Sequence, residues 1–207
     1  MTEIGLRERK KARTRRVIAD AAARLFAERG YEQVAVSDVA REAEVSEQTV
    51  YNYFQTKEQL VTDLDQQVQD DLSRLIRTRP PGTTPAAAIR ELALDLVEGI
   101  SRVPAEQWRG ELGYLAAISP TVHRLALEMS DRQAGAIASA ISETSDVPPE
   151  IAKLHGIALA GVFQIIIGEA GRRAREGQSQ DQIANDLRPI IEAIIDDLDR
   201  WLAPGAA

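Results

Sequence analysis

Apolar residues recur at three- and four-residue intervals along nearly the whole chain, the spacing of helices with one buried face. Val17, Ile18, Ala21, Ala22, Leu25 and Phe26 make the first stripe. Gly30 ends it at a position that needs positive φ. The pattern predicts short helices over about 36–43 and 47–54, the second opened by Ser46, whose hydroxyl can accept from free N–H groups. A long helix is expected from Lys57, with Leu60, Leu64, Val68, Leu72 and Leu75 on one face, until RPPGTTP at 79–85 breaks it. Further helices are expected at 86–102, 105–118 and 121–143, punctuated by Pro104, Ser119-Pro120 and Pro148-Pro149. The last two are expected at 149–176 and 179–203, divided by Gly177. No stretch alternates apolar and polar residues over a strand's length. The expectation is an all-α protein of about nine helices, a three-helix head over 1–57 on a helical bundle over 58–207. The helix from Lys57 is expected to join them so that the two parts move together.

Composition then narrows the function. The chain has no cysteine, which excludes disulfides, thiol nucleophiles and thiolate metal sites. Its two histidines, His123 and His155, leave little for a metal centre, and no cofactor is indicated. The longest apolar run, Ile157 to Ile167, is too short for a bilayer and carries Gln164. The first residues lack a signal-peptide pattern, so a cytoplasmic protein with no membrane partner is expected. HExxH, GxSxG, P-loop and GxGxxG motifs are all missing, and Asp196-Asp197 reads as a solvated face. The net charge of −7 is unevenly divided. Residues 1–57 carry +2, the remainder −9, and residues 1–16 alone +5. A basic end on an acidic body is either a solvated tail or the part that meets a polyanion.

The stretch VSDVAREAEVSEQTVYNYF, 36–54, decides between these. Two short helices joined by a tight turn make a helix-turn-helix. Close crossing needs a small side chain, supplied by Ala40. The turn needs an apolar anchor, supplied by Val45, and Val50 and Phe54 face inward from the second helix. Glu47, Gln48, Thr49, Tyr51 and Asn52 are left on the outward face. Such hydrogen-bonding side chains read base edges or grip phosphates, whereas a plain solvent face would carry Lys and Glu. Lys57, at the next helix start, is placed to join the tyrosine hydroxyls on phosphates.

Residues 7–61, with LFAERGY, DVAREA and VSEQTVYNYFQTKEQL, resemble the N-terminal domain of the tetracycline-repressor (TetR) family of transcription regulators. The resemblance implies a homodimer that binds double-stranded operator DNA through the head and a small-molecule effector through the body. It implies that Glu47, Gln48 and Asn52 face bases, that Thr49 faces a base or phosphate, and that Tyr51, Tyr53 and Lys57 hold phosphates. Two positions depart from the family pattern. Glu44 stands where the turn generally has glycine, at a strain cost of ~1 kcal/mol. Ala35 stands where a threonine often caps the second helix.

The last two helices carry more apolar surface than one monomer needs, which predicts a four-helix dimer interface through Gly156, Ala160, Phe163, Ile167, Ile190, Ile194 and Leu198. Gly156 and Ala160, one turn apart, would let backbones approach closely. Trp108, Glu111, Tyr114, His123, Met129 and Phe163 are the candidate lining of an effector site: apolar walls with a few polar groups. A ligand-responsive regulator, most commonly a repressor in this family, is the resulting expectation. The alternatives are a constitutive architectural DNA-binding protein and an all-helical enzyme.

Overall fold

In the computed structural model, which describes residues 3–103 and 107–203, the chain folds into nine α-helices with no strand among the described residues. The head consists of α1 (Glu3–Arg29), α2 (Val36–Glu42) and α3 (Glu47–Tyr53). The body follows as α4 (Asp65–Arg77), α5 (Pro85–Ile100), α6 (Leu112–Ile118), α7 (Pro120–Thr144), α8 (Pro149–Arg175) and α9 (Gln180–Trp201). The helix starts obey local chemistry. Ser46, Thr84, Ser119 and Ser179 each accept from a backbone N–H in the first turn, and Pro85, Pro120 and Pro149 occupy first-turn positions where no donor is needed. The expected break at Pro104 lies outside the described residues.

α1 is longer than its apolar stripe: it begins at Glu3, so the basic segment is helical rather than a loose tail. Ile18, Ala21, Ala22, Leu25 and Phe26 are buried, but Val17 points outward. Gly30 has φ +79 and its N–H closes on Phe26 O at 2.9 Å. The head core adds Tyr31, Val34, Val39, Ala40, Val50, Phe54 and Leu60. It is completed by two residues of the body, Leu115 from α6 and Val122 from α7, both fully buried. Head and body therefore share a core at their junction.

The long helix expected from Lys57 is not continuous. A 3₁₀ turn (Glu58–Leu60) is followed by a turn over 61–64, and α4 begins only at Asp65. Leu60 is buried in the head, whereas Leu64, one turn on in the expected stripe, is 65% exposed. The hydrophobic phase changes because the two halves of the segment serve different cores: Leu60 faces α1, while Leu72 and Ile76 face the body. Two aspartates hold this joint. Asp63 is ion-paired with Arg15 of α1, and the buried Asp65 accepts from Arg132 Nε at 2.9 Å and Gln133 Nε2 at 3.3 Å on α7.

In the body, α7 lies along α8, α4 covers α7, and α9 covers α5. α9 runs back along α8: Arg173 near the end of α8 meets Asp186 near the start of α9 at 3.3 Å, while Trp201 reaches His155 near the start of α8 with ring centroids 5.0 Å apart. α6 crosses α8 at backbone contact. A Cβ on Gly113 would stand 2.7 Å from Ile167 O, and one on Gly171 would collide with Gly113 O. Only glycine permits this approach.

Candidate nucleic-acid interface

The helix-turn-helix forms as its residue types require. Ala40 is buried at the crossing, Val50 and Phe54 are buried below it, and Val45 is half-buried in the turn with its N–H on Ala40 O at 2.9 Å. Glu44 adopts φ 54 and does carry the left-handed backbone anticipated for a glycine position. Ala35 caps α2 without a side-chain bond. Asp38 supplies only the reciprocal bond of a capping box, its Oδ2 accepting from the Ala35 N–H at 3.0 Å. That bond, with Arg41 alongside, holds the Asp38 carboxyl below its usual pKa.

On α3, Glu47, Gln48, Tyr51 and Asn52 are exposed along one face. Gln48 Nε2 donates to Asn52 Oδ1 at 3.2 Å, which aligns the two amides one turn apart. The Thr49 hydroxyl lies 2.8 Å from Ser46 Oγ at the helix start and is half-buried. Tyr53 is half-buried against the head core. Lys57 is the site residue that departs most from the expectation. Its ammonium stands 4.2 Å over the Tyr31 ring, where burial lowers its pKa against the opposing pull of Glu32 and Glu58. The Tyr31 hydroxyl beneath is buried without a hydrogen-bond partner, and its pKa is raised to about 12, chiefly by burial.

Arg15, which the sequence reading did not single out, sets the end of α3. Its Nη1 donates to Tyr53 O at 2.8 Å, its guanidinium lies 4.5 Å over the Phe54 ring, and its Nε donates to Asp63 at 2.7 Å. One side chain thus ties α1, the C-terminus of α3 and the joint to the body. The only sequence signal was its place one turn before Ile18 on the inward side of α1.

The candidate effector residues are dispersed. Trp108 packs on the body core, Met129 and Phe163 are buried, Tyr114 is half-buried, and His123 is exposed on α7. Glu111 immediately precedes α6, and burial raises its carboxyl pKa. Two clefts open elsewhere, one between α4 and α7 and the other around the 79–85 loop and the end of α7. One, of ≈ 520 Å³, is lined by Asp70, Ser73, Arg74 and Arg77, and the other, of ≈ 420 Å³, by Arg79, Thr83, Thr84 and Ser145 among others. Neither includes any of the six candidates. What the segment 108–118 does provide is a bridge. A Cβ on Gly110 would overlap the Ala23 backbone of α1, Gly113 abuts α8, and Ser119 Oγ donates to Glu32 of the head at 2.5 Å.

The dimer candidates also divide. Gly156, Ala160 and Phe163 lie inside the protomer, and Ile167 is half-buried. A Cβ on Gly156 would collide with Ala134 O and come within 3.0 Å of Ala138 Cβ, so the close approach belongs to α7 of the same chain. The apolar residues α8 leaves outside are Ile151, Leu154, Ile157 and Ile165, at 39–52% exposure, continued on α9 by Ile190 and Trp201. Ile194 and Leu198 border them, half-buried. By length and composition alone α8 could cross a membrane. His155, at the edge of this face against Trp201, has its pKa lowered by burial. Its neutral form is favoured in the folded state, so its contribution to stability is full above pH ~6.5 and is lost as pH falls through the depressed value. Thermal unfolding from pH 7.5 to 5 should fall more steeply for the wild type than for His155→Gln.

Residues 18–64 match the model of the bacterial regulatory proteins, tetR family. The match lies in the helix-turn-helix head, which is therefore similar to the DNA-binding domain of that family. The chain is 25% identical over 150 residues to the HTH-type transcriptional regulator TcmR of Streptomyces glaucescens, covering 72% of this chain and 62% of that protein. The alignments span less than two thirds of the length of the curated relatives. Its fold is shared with the SmeT–triclosan complex, at 15% identity and a TM-score of 0.58 over 94% of each chain. It is likewise shared with NalD, the secondary repressor of the MexAB-OprM multidrug efflux pump in Pseudomonas aeruginosa, at 19% identity and a TM-score of 0.54 over 95% of this chain and 99% of that one.

Proposed function

We propose that this protein is a tetR-family repressor that binds a pseudo-palindromic operator as a homodimer and is released by a small, largely apolar effector. The observation that carries the DNA-binding reading is α3: a helix pinned by Val50, Phe54 and Arg15 that presents Gln48, Tyr51 and Asn52 outward. A rigid helix with paired amides suits adenine edges in a major groove, and a tyrosine beside them suits a phosphate. Two-fold symmetry would supply the second recognition helix and hence the half-site repeat. The exposed apolar face of α8 and α9 supports the dimer, because a patch of this kind is seldom left to water.

The effector reading rests on the bridge. A molecule lodged beside Trp108, Glu111 and Tyr114 would displace 110–113, which has no free space against either α1 or α8. The head would then move with it. The coupling runs through these glycine contacts and the Asp63–Asp65 joint rather than through one continuous helix. That SmeT is held with triclosan supports an apolar small molecule.

The test is binding to duplex selected from a random pool on the full chain. Gln48→Ala and Asn52→Ala should each change the preferred sequence and lose roughly 1–3 kcal/mol on the selected duplex. Tyr51→Phe should weaken all duplexes alike. Unaltered preference in both amide variants would remove α3 from base recognition.

A further inference from the structure

Duplex binding draws most of its sequence-independent strength from cations placed on phosphates, and α3 has none to offer. From Glu42 to Thr56 the chain holds no Lys or Arg and three acids, Glu42, Glu44 and Glu47. The nearby cations are largely occupied. Lys57 covers the Tyr31 ring, Arg15 is ion-paired with Asp63, Arg24 with Glu42 and Arg41 with Asp38. The body beyond is acidic.

The exception is the first half of α1. Residues 9–16 read RKKARTRR, six cations in eight residues with no acid. Residues 8–13 are exposed, so this stretch stands clear of the rest of the protein. Among the described residues, the ion pairs of α1 begin at Arg15, and Arg9, Lys10, Lys11 and Arg13 enter none. Like charges three and four apart, such as Arg9–Arg13, Lys10–Arg13 and Lys11–Arg15, oppose the helix that carries them. Among the described residues, no ion pair offsets that repulsion at Arg9, Lys10, Lys11 or Arg13. Arg15, which follows this stretch directly, is bonded to Tyr53 O at the C-terminal end of α3 and so ties the base of the stretch to that end. At a rise of 1.5 Å per residue, Arg9 lies about 9 Å along the axis from Arg15, within reach of the backbone of a duplex seated on α3.

We infer that Arg9, Lys10, Lys11 and Arg13 form the phosphate clamp of this protein. They supply the electrostatic affinity for duplex DNA that α3 lacks, while α3 supplies the sequence preference. The inference rests on the reading of α3 as the DNA-facing helix and assigns the charge contacts to a separate element.

The test is a full-chain variant carrying Arg9→Gln, Lys10→Gln, Lys11→Gln and Arg13→Gln. Glutamine keeps helix propensity and removes only charge, and circular dichroism verifies the fold. Binding is measured from 50 to 300 mM salt on two duplexes: one selected from a random pool on the wild type, and a scrambled duplex of equal length. The variant should lose at least about tenfold on both duplexes, with log K against log salt shallower by ~0.9 for each contact removed. The ratio of the two affinities should stay unchanged. Gln48→Ala should do the reverse, changing the ratio and sparing the slope. Ethylation interference should reveal phosphates that matter to the wild type and not to the variant. An unchanged slope while the selected duplex is still preferred overturns the clamp and leaves the α3 reading intact. If the wild type selects no duplex, both fall together. If the four cations instead govern binding to phosphatidylglycerol vesicles while the DNA slope stays fixed, the clamp serves a membrane surface and the inference is wrong.

Discussion

Replacing Ile157 with glutamate is expected to turn the proposed dimer into a folded monomer that no longer holds the proposed two-half-site duplex. Ile157 is 52% exposed in the single chain, among Ile151, Leu154 and Ile165, so the protomer tolerates a charge there. A partner helix laid on this face would bury that charge without a counter-ion. The cost of an uncompensated buried charge is about 3–5 kcal/mol, more than a hundredfold in the dimer dissociation constant. Sedimentation at micromolar concentration should give the mass of one chain instead of two, with an unchanged circular dichroism spectrum. Gly156→Glu makes the contrast. It sits one residue away but faces α7, so it should unfold the protomer itself. A dimer that survives Ile157→Glu would place the interface elsewhere.

The second large effect concerns the crossing of α6 and α8. Gly171→Ala puts a methyl group onto Gly113 O, with the Tyr114 nitrogen 3.2 Å from it, and these are backbone atoms that cannot rotate away. Forced separation of two packed helices belongs at the upper end of overpacking costs, about 3 kcal/mol. For a chain of this size that is a fall in Tm of roughly 6–12 °C. DNA affinity should fall as well, because α6 also contributes Leu115 to the head core. Gly135→Ala is the control. That glycine is exposed on α7 with nothing within 4 Å of an added Cβ, so alanine should stabilise by about 0.5–1 kcal/mol through helix propensity alone. Equal effects of the two substitutions would show that the α6–α8 approach is not tight.

What was legible in the sequence was whatever local chemistry settles. Helix periods, hydroxyl caps, first-turn prolines and the Gly30 stop all act within one or two turns, and most of the helices lie within a few residues of their expected places. The helix-turn-helix was legible for the same reason: Ala40, Val45, Val50 and Phe54 interact over fewer than twenty residues, and their spacing alone directs Gln48, Tyr51 and Asn52 outward. The left-handed backbone at Glu44 was anticipated only through the resemblance to a family that generally has glycine at that place in the turn.

Choices among partners were not legible. Apolar periodicity says that α8 has buried faces, but a small-residue stripe at Gly156 and Ala160 serves a helix of the same chain as well as a second copy. Only the placement of α7 decides between them. The stripe Leu60–Leu64–Val68 looked like one helix because spacing cannot register that its ends belong to two cores. Arg15 and Lys57 both look in sequence like cations free to meet solvent or phosphate. One is drawn to Asp63 and Tyr53 and the other onto Tyr31, because residues 38–48 and 26 positions away happen to lie beside them. Local sequence determined the helices and the face each offers, since those energies are paid within a turn. The tertiary structure alone decided which face meets which neighbour, because long-range packing selects among surfaces that are individually equivalent.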